Sequence, residues 1–511
     1  MASTITGTIL PCPQPWGCEL QAPRSPGWPA VVLILASAAL FFAGTGLSGV
    51  GALVWLAPVP VLVLAPRLSA VGAACAAFAA YLLGGLNLAS YLYSLAPLPL
   101  VAAALIVPAV VLAGAVLLGR RAVGVLPAWA AALAFPAAWT TYEFLLARLS
   151  PNGTFGSLAY TQVDFLPVLQ LASVTGIWGV TFLLCLVPAG IAAAWTLRAR
   201  PTQAGAALIL PALALTVTLV FGSLRLATPE TGGTVSVGLA TTDASIDRFN
   251  TTNWSTAQPV VAAYANRVRL LGQRGARIVV LPEKFVGVTA RYLDSAVAIL
   301  GDAARAGHVS VVAGFNLLGG PEKRNIAAVI DPDGNLMFEY DKRHMLPGFE
   351  AGYRVGPAPA ILDLPGGRAG IAICKDLDFP EWTRLYAEVG SNILLVPAWD
   401  FGRDRRLHSR MAIVRGVEDG LPIVRSAQDG LATVSDDRGR ILVEAASASA
   451  PEVLLTAQAV PLGDHSTLYV RLGDWFGWTS GMLLMVLLGG VLVQDVRARP
   501  AHSAGRAGTI P

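Results

Sequence analysis

The sequence predicts a multi-span α-helical membrane domain of about eight helices, joined to an α/β domain on the outer face. Three observations predict it. Of the 511 residues, 54% are hydrophobic and 13% charged, with a mean hydropathy of +0.60, whereas soluble domains carry about 25% charge. Apolar runs near the length of a membrane span, about 20 residues, recur before residue 228 and once more near the end. Between them, residues 228–470 are more polar, and strand-like runs alternate with helical stretches. The net charge of +4 is mild. With no long basic run and no interleaved aromatics, it gives no reason to expect nucleic acid as a partner.

Residues 1–28 are Pro-rich and poorly patterned. They lack the short apolar core and small-residue cleavage site of a secretory leader, and read as a loose cytoplasmic tail carrying Cys12 and Cys18. A transmembrane domain of seven helices follows over 29–227, with spans near 29–47, 51–66, 70–90, 98–119, 123–147, 169–196 and 204–226. An extracytoplasmic domain fills 228–470. The last span lies near 476–494, within 471–496, and 497–511 form a second cytoplasmic tail. Arginines set the orientation, because positive residues favour the cytoplasmic side. With Arg24 inside, the inside connections carry Arg67, then Arg120 and Arg121, then Arg198 and Arg200, and finally Arg497 and Arg499. Arg148 is the exception on the outside.

In the outer segment, TVSVGLA is followed by a helix through 256–274, then ARIVVLPE, a helix over 291–306 and HVSVVAGFN. NIAAVIDPDGNLMFEYDK reads as a hairpin with Asp-Gly-Asn at its turn. RAGIAICKD, a helix near 380–389, NILLVPAWD, a helix near 405–419, LPIVRSA, LATVSDDRGRILVEA and EVLLTAQAV complete the alternation. This pattern gives a mixed α/β domain with its own core.

Cys374 lies in that domain without a disulfide partner in its compartment, since Cys75 and Cys185 fall in membrane spans. Lone cysteines are usually small buried hydrophobes, but this one closes an apolar strand, and ligands gather at the carboxyl ends of strands in open α/β sheets. Two other strand ends carry ionisable groups: ARIVVLPE ends in Glu283, and MFEYDKRH reaches Lys342. A carboxylate, an ammonium and a thiol are the parts of nucleophilic catalysis: a base, a cation for the oxyanion, and a nucleophile.

LPEKF, YDKRHMLPGFE and ICKDLDFPE resemble the Glu, Lys and Cys segments of the nitrilase (carbon–nitrogen hydrolase) superfamily, and in particular its integral-membrane branch, the apolipoprotein N-acyltransferase family. PAAWTTYEFLLARL, FGSLAYTQ and LQLASVTGIWGVTFLL in the membrane half, HSRMAIVRGVEDGLPIVRSAQDGLATVSDDRGRI downstream, and TLYVRLGDWFGW before the last span resemble the same branch, so the likeness covers nearly the whole chain. It implies a nitrilase-like αββα sandwich for 228–470. It makes Cys374 the nucleophile, Glu283 the general base, and Lys342 the stabiliser of the tetrahedral intermediate, with a backbone amide after Cys374. Glu350 would help hold Lys342 and Cys374 in place.

The sequence departs from that pattern in several places. Tyr-Glu usually follows the cysteine; here Lys375 offers a cation to lipid phosphate, and Asp376 keeps the acid one methylene shorter. Trp399 and Phe401 are retained out of register in Pro-Ala-Trp-Asp-Phe, and the connection from Glu350 to Cys374 is shorter than usual. Trp139, Tyr142, Tyr160 and Trp178 are candidates to line a lateral lipid entry, although each singly is a packing or interfacial residue more often than not. Glu143 is a candidate functional carboxylate at membrane depth or the partner of Arg148. His344 is expected to shape its loop, and His408 to position a helix or loop.

The resemblance implies a bacterial plasma-membrane acyltransferase. An acyl chain would pass from a phospholipid, through a Cys374 thioester, to the α-amino group of a lipoprotein's N-terminal diacylglyceryl-cysteine. The alternatives are a membrane-tethered amidase or nitrilase and a non-catalytic receptor or transporter. The five histidines are scattered without ligand spacing, and no phosphate-binding glycine motif occurs, so neither metal nor cofactor is expected.

Overall fold

Uncharged runs of Ala, Leu and Val can satisfy their backbone groups in a bilayer only by coiling into helices, and the apolar runs between Trp28 and Ala227 do so. The computed structural model describes residues 27–498 apart from 230–231, 244–245, 449–452 and 465–466. The expected tails, 1–28 and 497–511, lie outside the described residues but for two residues each.

Among the described residues, five helices are long and apolar enough to cross a membrane: Ala70–Leu95, Leu98–Val125, Ile177–Thr196, Pro201–Ala227 and Trp475–Arg497. Trp28–Gly44, Gly51–Arg67 and Leu166–Thr175 are apolar but shorter. Two expected spans need correction. The run 123–147 is not one helix: Leu126, forced extended by Pro127, ends the preceding helix, and the chain resumes as Ala128–Ala131 and Ala134–Leu149. The run 169–196 breaks at Gly176, whose φ of +64° and ψ of −172° suit glycine alone; a Cβ there would lie 2.6 Å from the Tyr469 ring.

The remaining chain forms thirteen strands among the described residues: β1 (Thr234–Thr241), β2 (Ile278–Val280), β3 (Val286–Thr289), β4 (Ser310–Leu318), β5 (Arg324–Ile330), β6 (Leu336–Asp341), β7 (Ala360–Leu364), β8 (Gly367–Ile371), β9 (Ile393–Trp399), β10 (Ile423–Gln428), β11 (Leu431–Ser435), β12 (Ile441–Ala446) and β13 (Val453–Pro461). One sheet runs β13-β1-β2-β4-β5-β6, with β3 beside β4; the other runs β12-β11-β10-β9-β8-β7. Within them β1, β2 and β4 are parallel, as are β8, β9 and β10. The expected hairpin is β5–β6, turned by Asp331, whose carbonyl accepts from Gly334 N at 3.0 Å and whose carboxylate accepts from Asn335 N at 2.7 Å.

Strand side chains alternate between faces, and the two faces of the first sheet reach different cores. Val237, Leu239, Ile278 and Val280 pack across to Ile371, Leu395, Val396 and Val424 of the second sheet. Ala240, Val279 and Leu281 pack outward onto Val261, Tyr264, Leu293 and Leu300 of the helices Trp254–Gln273 and Ala290–Gly307. The helices Pro380–Glu388 and Arg405–Asp419 cover the second sheet and complete an αββα sandwich.

The helix Arg405–Asp419 is also where the two halves of the molecule join. Every residue from Ser409 to Asp419 is buried. Ala412 belongs to the apolar core built around the second sheet, while Met411, Ile413, Val414 and Val417 belong to the apolar core of the membrane helices. Polar contacts reinforce the junction. Glu418 Oε1 accepts from Ile177 N, at the start of a membrane helix, at 2.6 Å. Thr154 donates from both N and Oγ1 to Asp378 O, at 2.9 and 2.7 Å.

Candidate active site

The site stands at the carboxyl ends of β2, β6, β8 and β9. Pro282 lacks an amide donor, and β2 stops at Val280. The next residues cross toward the other sheet: Glu283 N donates to Ala398 O at 3.2 Å, and Gln428 Nε2 donates to Glu283 O at 2.6 Å. Gly314 in β4 makes room for this crossing, since a Cβ there would sit 2.3 Å from Pro282 O and 2.7 Å from Glu283 Cα. Lys342 directly follows β6, and its N donates to Asn325 O at 2.9 Å. Cys374 comes three residues after β8, at φ +42°, and opens a tight turn over Cys374–Asp378. That left-handed backbone is costly for a residue with a Cβ, and it leaves the thiol half-buried, its Sγ 3.4 Å from Trp399 O.

The charged side chains interlock. Lys342 Nζ lies 2.8 Å from Glu283 Oε1 and 2.9 Å from Glu350 Oε2. Asn325 Nδ2 donates to Glu283 Oε1 at 2.6 Å and to Glu350 Oε1 at 2.8 Å. Lys284 Nζ reaches Glu350 Oε1 at 2.5 Å, and Leu346 N reaches Oε2 at 2.8 Å. Glu283, Lys284, Asn325, Lys342 and Glu350 are all buried. Sequence reasoning missed Asn325 and Lys284. Asn325 carries no strand-end signal, since it sits near the start of β5. Lys284 stood in the quoted LPEKF but lay one residue past the acid that drew attention.

Burial opposes a charge on Lys342, but Glu283 and then Glu350 hold its ammonium well above the ordinary lysine range. Burial likewise opposes ionisation of Glu350, yet Lys342 and Lys284 hold its carboxyl well below the usual range. Burial pushes the Cys374 thiol up, Glu283 adds to this, and Lys342 and Arg425 pull the other way. Arg425 is itself paired with Asp400, Nη1 to Oδ2 at 3.0 Å. Burial and Glu283 thus work against a resting thiolate, and a base beside the sulfur favours its attack.

Asp376 lies within the turn and is fully buried. Its carboxylate accepts from Ile373 N, Tyr340 Oη, Arg343 N and His344 N at 2.8–3.2 Å. His344 stacks on Phe379 at 3.8 Å between ring centroids, with Nδ1 3.1 Å from Asp376. Lys375 does not face outward: it is buried, with Nζ 3.1 Å from Asp378 Oδ2 and 3.5 Å from Asn152 Oδ1. Trp399 closes β9 beside the thiol; its Nε1 donates to Asp429 Oδ2 at 2.7 Å, and its ring meets Phe249 edge-on. Phe401 is exposed and pairs with exposed Phe349, centroids 5.6 Å apart.

The membrane-half candidates fall inside the packing rather than on an open wall. Tyr160 is buried, its hydroxyl 2.6 Å from Thr154 Oγ1 and receiving Arg415 Nη2 at 3.1 Å. Trp178 is buried and donates to Asp474 Oδ1 at 2.8 Å. Trp139 is buried against Tyr81 and Tyr142, and donates to Glu143 Oε1 at 2.9 Å. Glu143 also accepts from Ser157, Leu158 N and Thr181. Of the two readings of Glu143, the pairing with Arg148 is not found: Arg148 Nη1 binds Asp474 Oδ2 at 3.0 Å. His408 Nε2 lies 3.1 Å from Asp404, which also accepts from Tyr91 Oη and Phe401 N, so it ties the loop after β9 to a membrane helix.

Two family models match the chain: the carbon-nitrogen hydrolase model over residues 237–463 and the apolipoprotein N-acyltransferase N-terminal domain over 34–190. An apolipoprotein N-acyltransferase from Geobacter metallireducens is 28% identical over 377 residues, which is 68% of this chain and 71% of that protein. One from Bradyrhizobium diazoefficiens is 28% identical over 382 residues, 67% of this chain and 70% of that protein. An omega-amidase from Bos taurus is 32% identical over 149 residues, 25% of this chain and 54% of that protein. A solved amidase from Nesterenkonia sp., 22% identical, covers 47% of this chain and 94% of its own, with a TM-score of 0.39.

Proposed function

Because this chain belongs to the apolipoprotein N-acyltransferase family of the nitrilase superfamily, and is an N-acyltransferase, we propose that it acylates lipoproteins through a thioester on Cys374. The acyl donor is a membrane phospholipid, and the acceptor is the α-amino group of the N-terminal diacylglyceryl-cysteine. The observation that carries this reading is the Lys342 ammonium bridging Glu283 and Glu350, with Cys374 in its field.

Glu283 Oε1 is held by Lys342 and Asn325, and Oε2 accepts no hydrogen bond from the described residues. Oε2 is the atom that takes the thiol proton as Sγ attacks the ester carbonyl. Lys342 and the amide after Cys374 stabilise the oxyanion, where preorganised donors act most strongly. The C–O bond breaks, Glu283 returns the proton to the leaving lysophospholipid oxygen, and the acyl chain stays on sulfur. The acceptor amine then attacks the thioester, Glu283 takes its proton, and the thiol is regenerated. This is two-step covalent catalysis. Trp399, Phe401 and Phe349 offer the acyl chain an apolar approach. Excluding water at the bilayer surface protects the thioester from hydrolysis.

The chain is a bacterial membrane protein, and we place its catalytic domain on the extracytoplasmic side with about eight spans. The arginine alternation supports that topology.

The test is incubation of the purified chain with a phospholipid labelled in its acyl chain. Label should appear on Cys374 and then on a diacylglyceryl-cysteine peptide, and Cys374→Ala should abolish both. The likeness of the catalytic half to omega-amidases makes simple amide hydrolysis the competing outcome; in that case amides are cleaved and no lipid label is taken up.

A further inference from the structure

We propose that Lys284 is a positioning residue of the acyl-transfer site, balancing the charge of Glu350 so that Lys342 is left to serve Glu283 and the oxyanion. The inference rests on the acyl-transfer reading above. Its geometry is independent of the acyl donor.

The pocket holds two carboxylates, Glu283 and Glu350, and two ammonium groups, Lys284 and Lys342, all buried. The charges balance two against two, with Glu350 shared between the two ammonium groups. Lys284 Nζ binds Glu350 Oε1 at 2.5 Å, and Lys342 Nζ binds Glu283 Oε1 at 2.8 Å and Glu350 Oε2 at 2.9 Å. Buried ions are tolerated only when paired, and with Lys284 present the pocket is neutral around a protonated thiol. Without it, Lys342 would be the sole counter-charge for both carboxylates, and the pocket would carry one net negative charge beside a sulfur that must become negative.

Three further features show Lys284 held in place. Its φ is +49°, a conformation costly for a non-glycine residue. Its Nζ lies 4.3 Å from the centroid of the Tyr353 ring, a cation–π contact. Tyr353 is fixed by donating from its hydroxyl to Asn316 Oδ1 at 2.9 Å.

The charged and titratable groups facing this cluster are few. Lys284 faces Glu350 and Tyr353, with Lys323 at 5.9 Å over the same ring. Cys374 is in the field of Glu283, Lys342, Arg425 and Asp400. Arg425 and Asp400 form their own pair, which leaves the Lys284–Glu350 balance to set the net charge on the Glu283–Lys342 side.

The experiment measures the pH dependence of Cys374 alkylation by iodoacetamide on the detergent-solubilised full chain. In parallel it measures acyl-enzyme formation from labelled phospholipid. Lys284→Met should move the alkylation midpoint about one pH unit alkaline, the scale of one charge lost from the buried network that holds Glu283 and Lys342. It should slow acyl-enzyme formation about tenfold or more near neutral pH, with partial recovery at alkaline pH. Lys284→Arg should restore the midpoint. Lys284→Met combined with Glu350→Gln, which is neutral again, should also return the midpoint to that of the native chain while transfer stays slow.

If Lys284→Met alone does not fold, Glu350→Gln with and without Lys284→Met reads the same charge, and the same alkaline displacement is expected between them. An unchanged midpoint in that comparison, or activity lost equally at every pH, overturns the proposal. If the native chain alkylates normally but never takes up an acyl group, the acyl-transfer reading fails instead, and the midpoint shift still reports on Lys284.

Discussion

Asp376 Oδ1 accepts the backbone N–H of His344 at 2.8 Å, so the residue two places beyond the thiol also holds the segment two places beyond Lys342. Its other oxygen takes Ile373 N at 2.9 Å and Tyr340 Oη at 2.8 Å. One buried carboxylate thus fixes the spacing between nucleophile and ammonium. Asp376→Asn keeps the volume but turns an amide NH2 toward donors. Each group left unsatisfied costs about 1–3 kcal/mol. The variant should melt at lower temperature and lose about 100-fold or more in acyl transfer, the loss in kcat exceeding any rise in KM. Unchanged melting and transfer would contradict the anchoring role.

Gly314 tests the placement of Glu283. Gly314→Ala would press a methyl against Pro282 O and Glu283 Cα, and overpacking of this kind costs about 1–3 kcal/mol. Thioester formation should slow markedly in a protein that still folds, while iodoacetamide still reaches Cys374. Thioester formation at the native rate would show that the close approach of β4 does not position the base.

The Asp404–His408 pair gives a pH window for the loop after β9. Burial disfavours both charges, but the hydrogen bond and attraction between the two dominate: Asp404 is held at about 2, and His408 is raised above its ordinary value. Asp404 therefore stabilises the fold above its ordinary 3.8, and this is lost as pH falls toward 2. His408 stabilises it below the ordinary 6.5, and this is lost as pH rises through the elevated folded value. Hydrogen-exchange protection of residues 400–404 should be greatest between those limits, and His408→Gln should remove the decline on the alkaline side. Protection that rises steadily above pH 7 would contradict the pairing.

Much of the catalytic half is legible in the sequence because its periodicity is local. Short apolar runs mark β1, β4 and β10, the Asp-Gly-Asn turn marks the β5–β6 hairpin, and three strand ends carry unlike reactive groups. What is not legible depends on what packs against what. β3 is a four-residue strand with no turn signal beside it, and β7, though followed by Pro365-Gly366, is only five residues long. The helix Arg405–Asp419 has the composition of a surface helix, yet it is buried on both sides because membrane helices cover its outer face. Lys375 reads as a cation free for lipid until Asp378 is placed beside it. Asn325 gains its role only through the register that sets β5 beside β6. In the membrane half, hydropathy finds the apolar runs but not their breaks at Pro127 and Gly176.

Burial and Glu283 disfavour a resting thiolate at Cys374, so the attack should depend on a base. Glu283→Gln should slow the first half-reaction by about 100- to 10,000-fold, the usual worth of a general base, whereas added acceptor peptide should not rescue it. Single-turnover mixing with labelled phospholipid measures this, and a loss under tenfold would remove Glu283 from the role.

The most direct measurement is the mass of the Cys374 peptide after one turnover with phospholipid and no acceptor. The account predicts one fatty acyl chain on Cys374, released by hydroxylamine and passed to the amine of a diacylglyceryl-cysteine peptide when that is added. Transfer to the peptide by Cys374→Ala at the native rate, or an unmodified Cys374 in a chain that is transferring acyl groups, would contradict it.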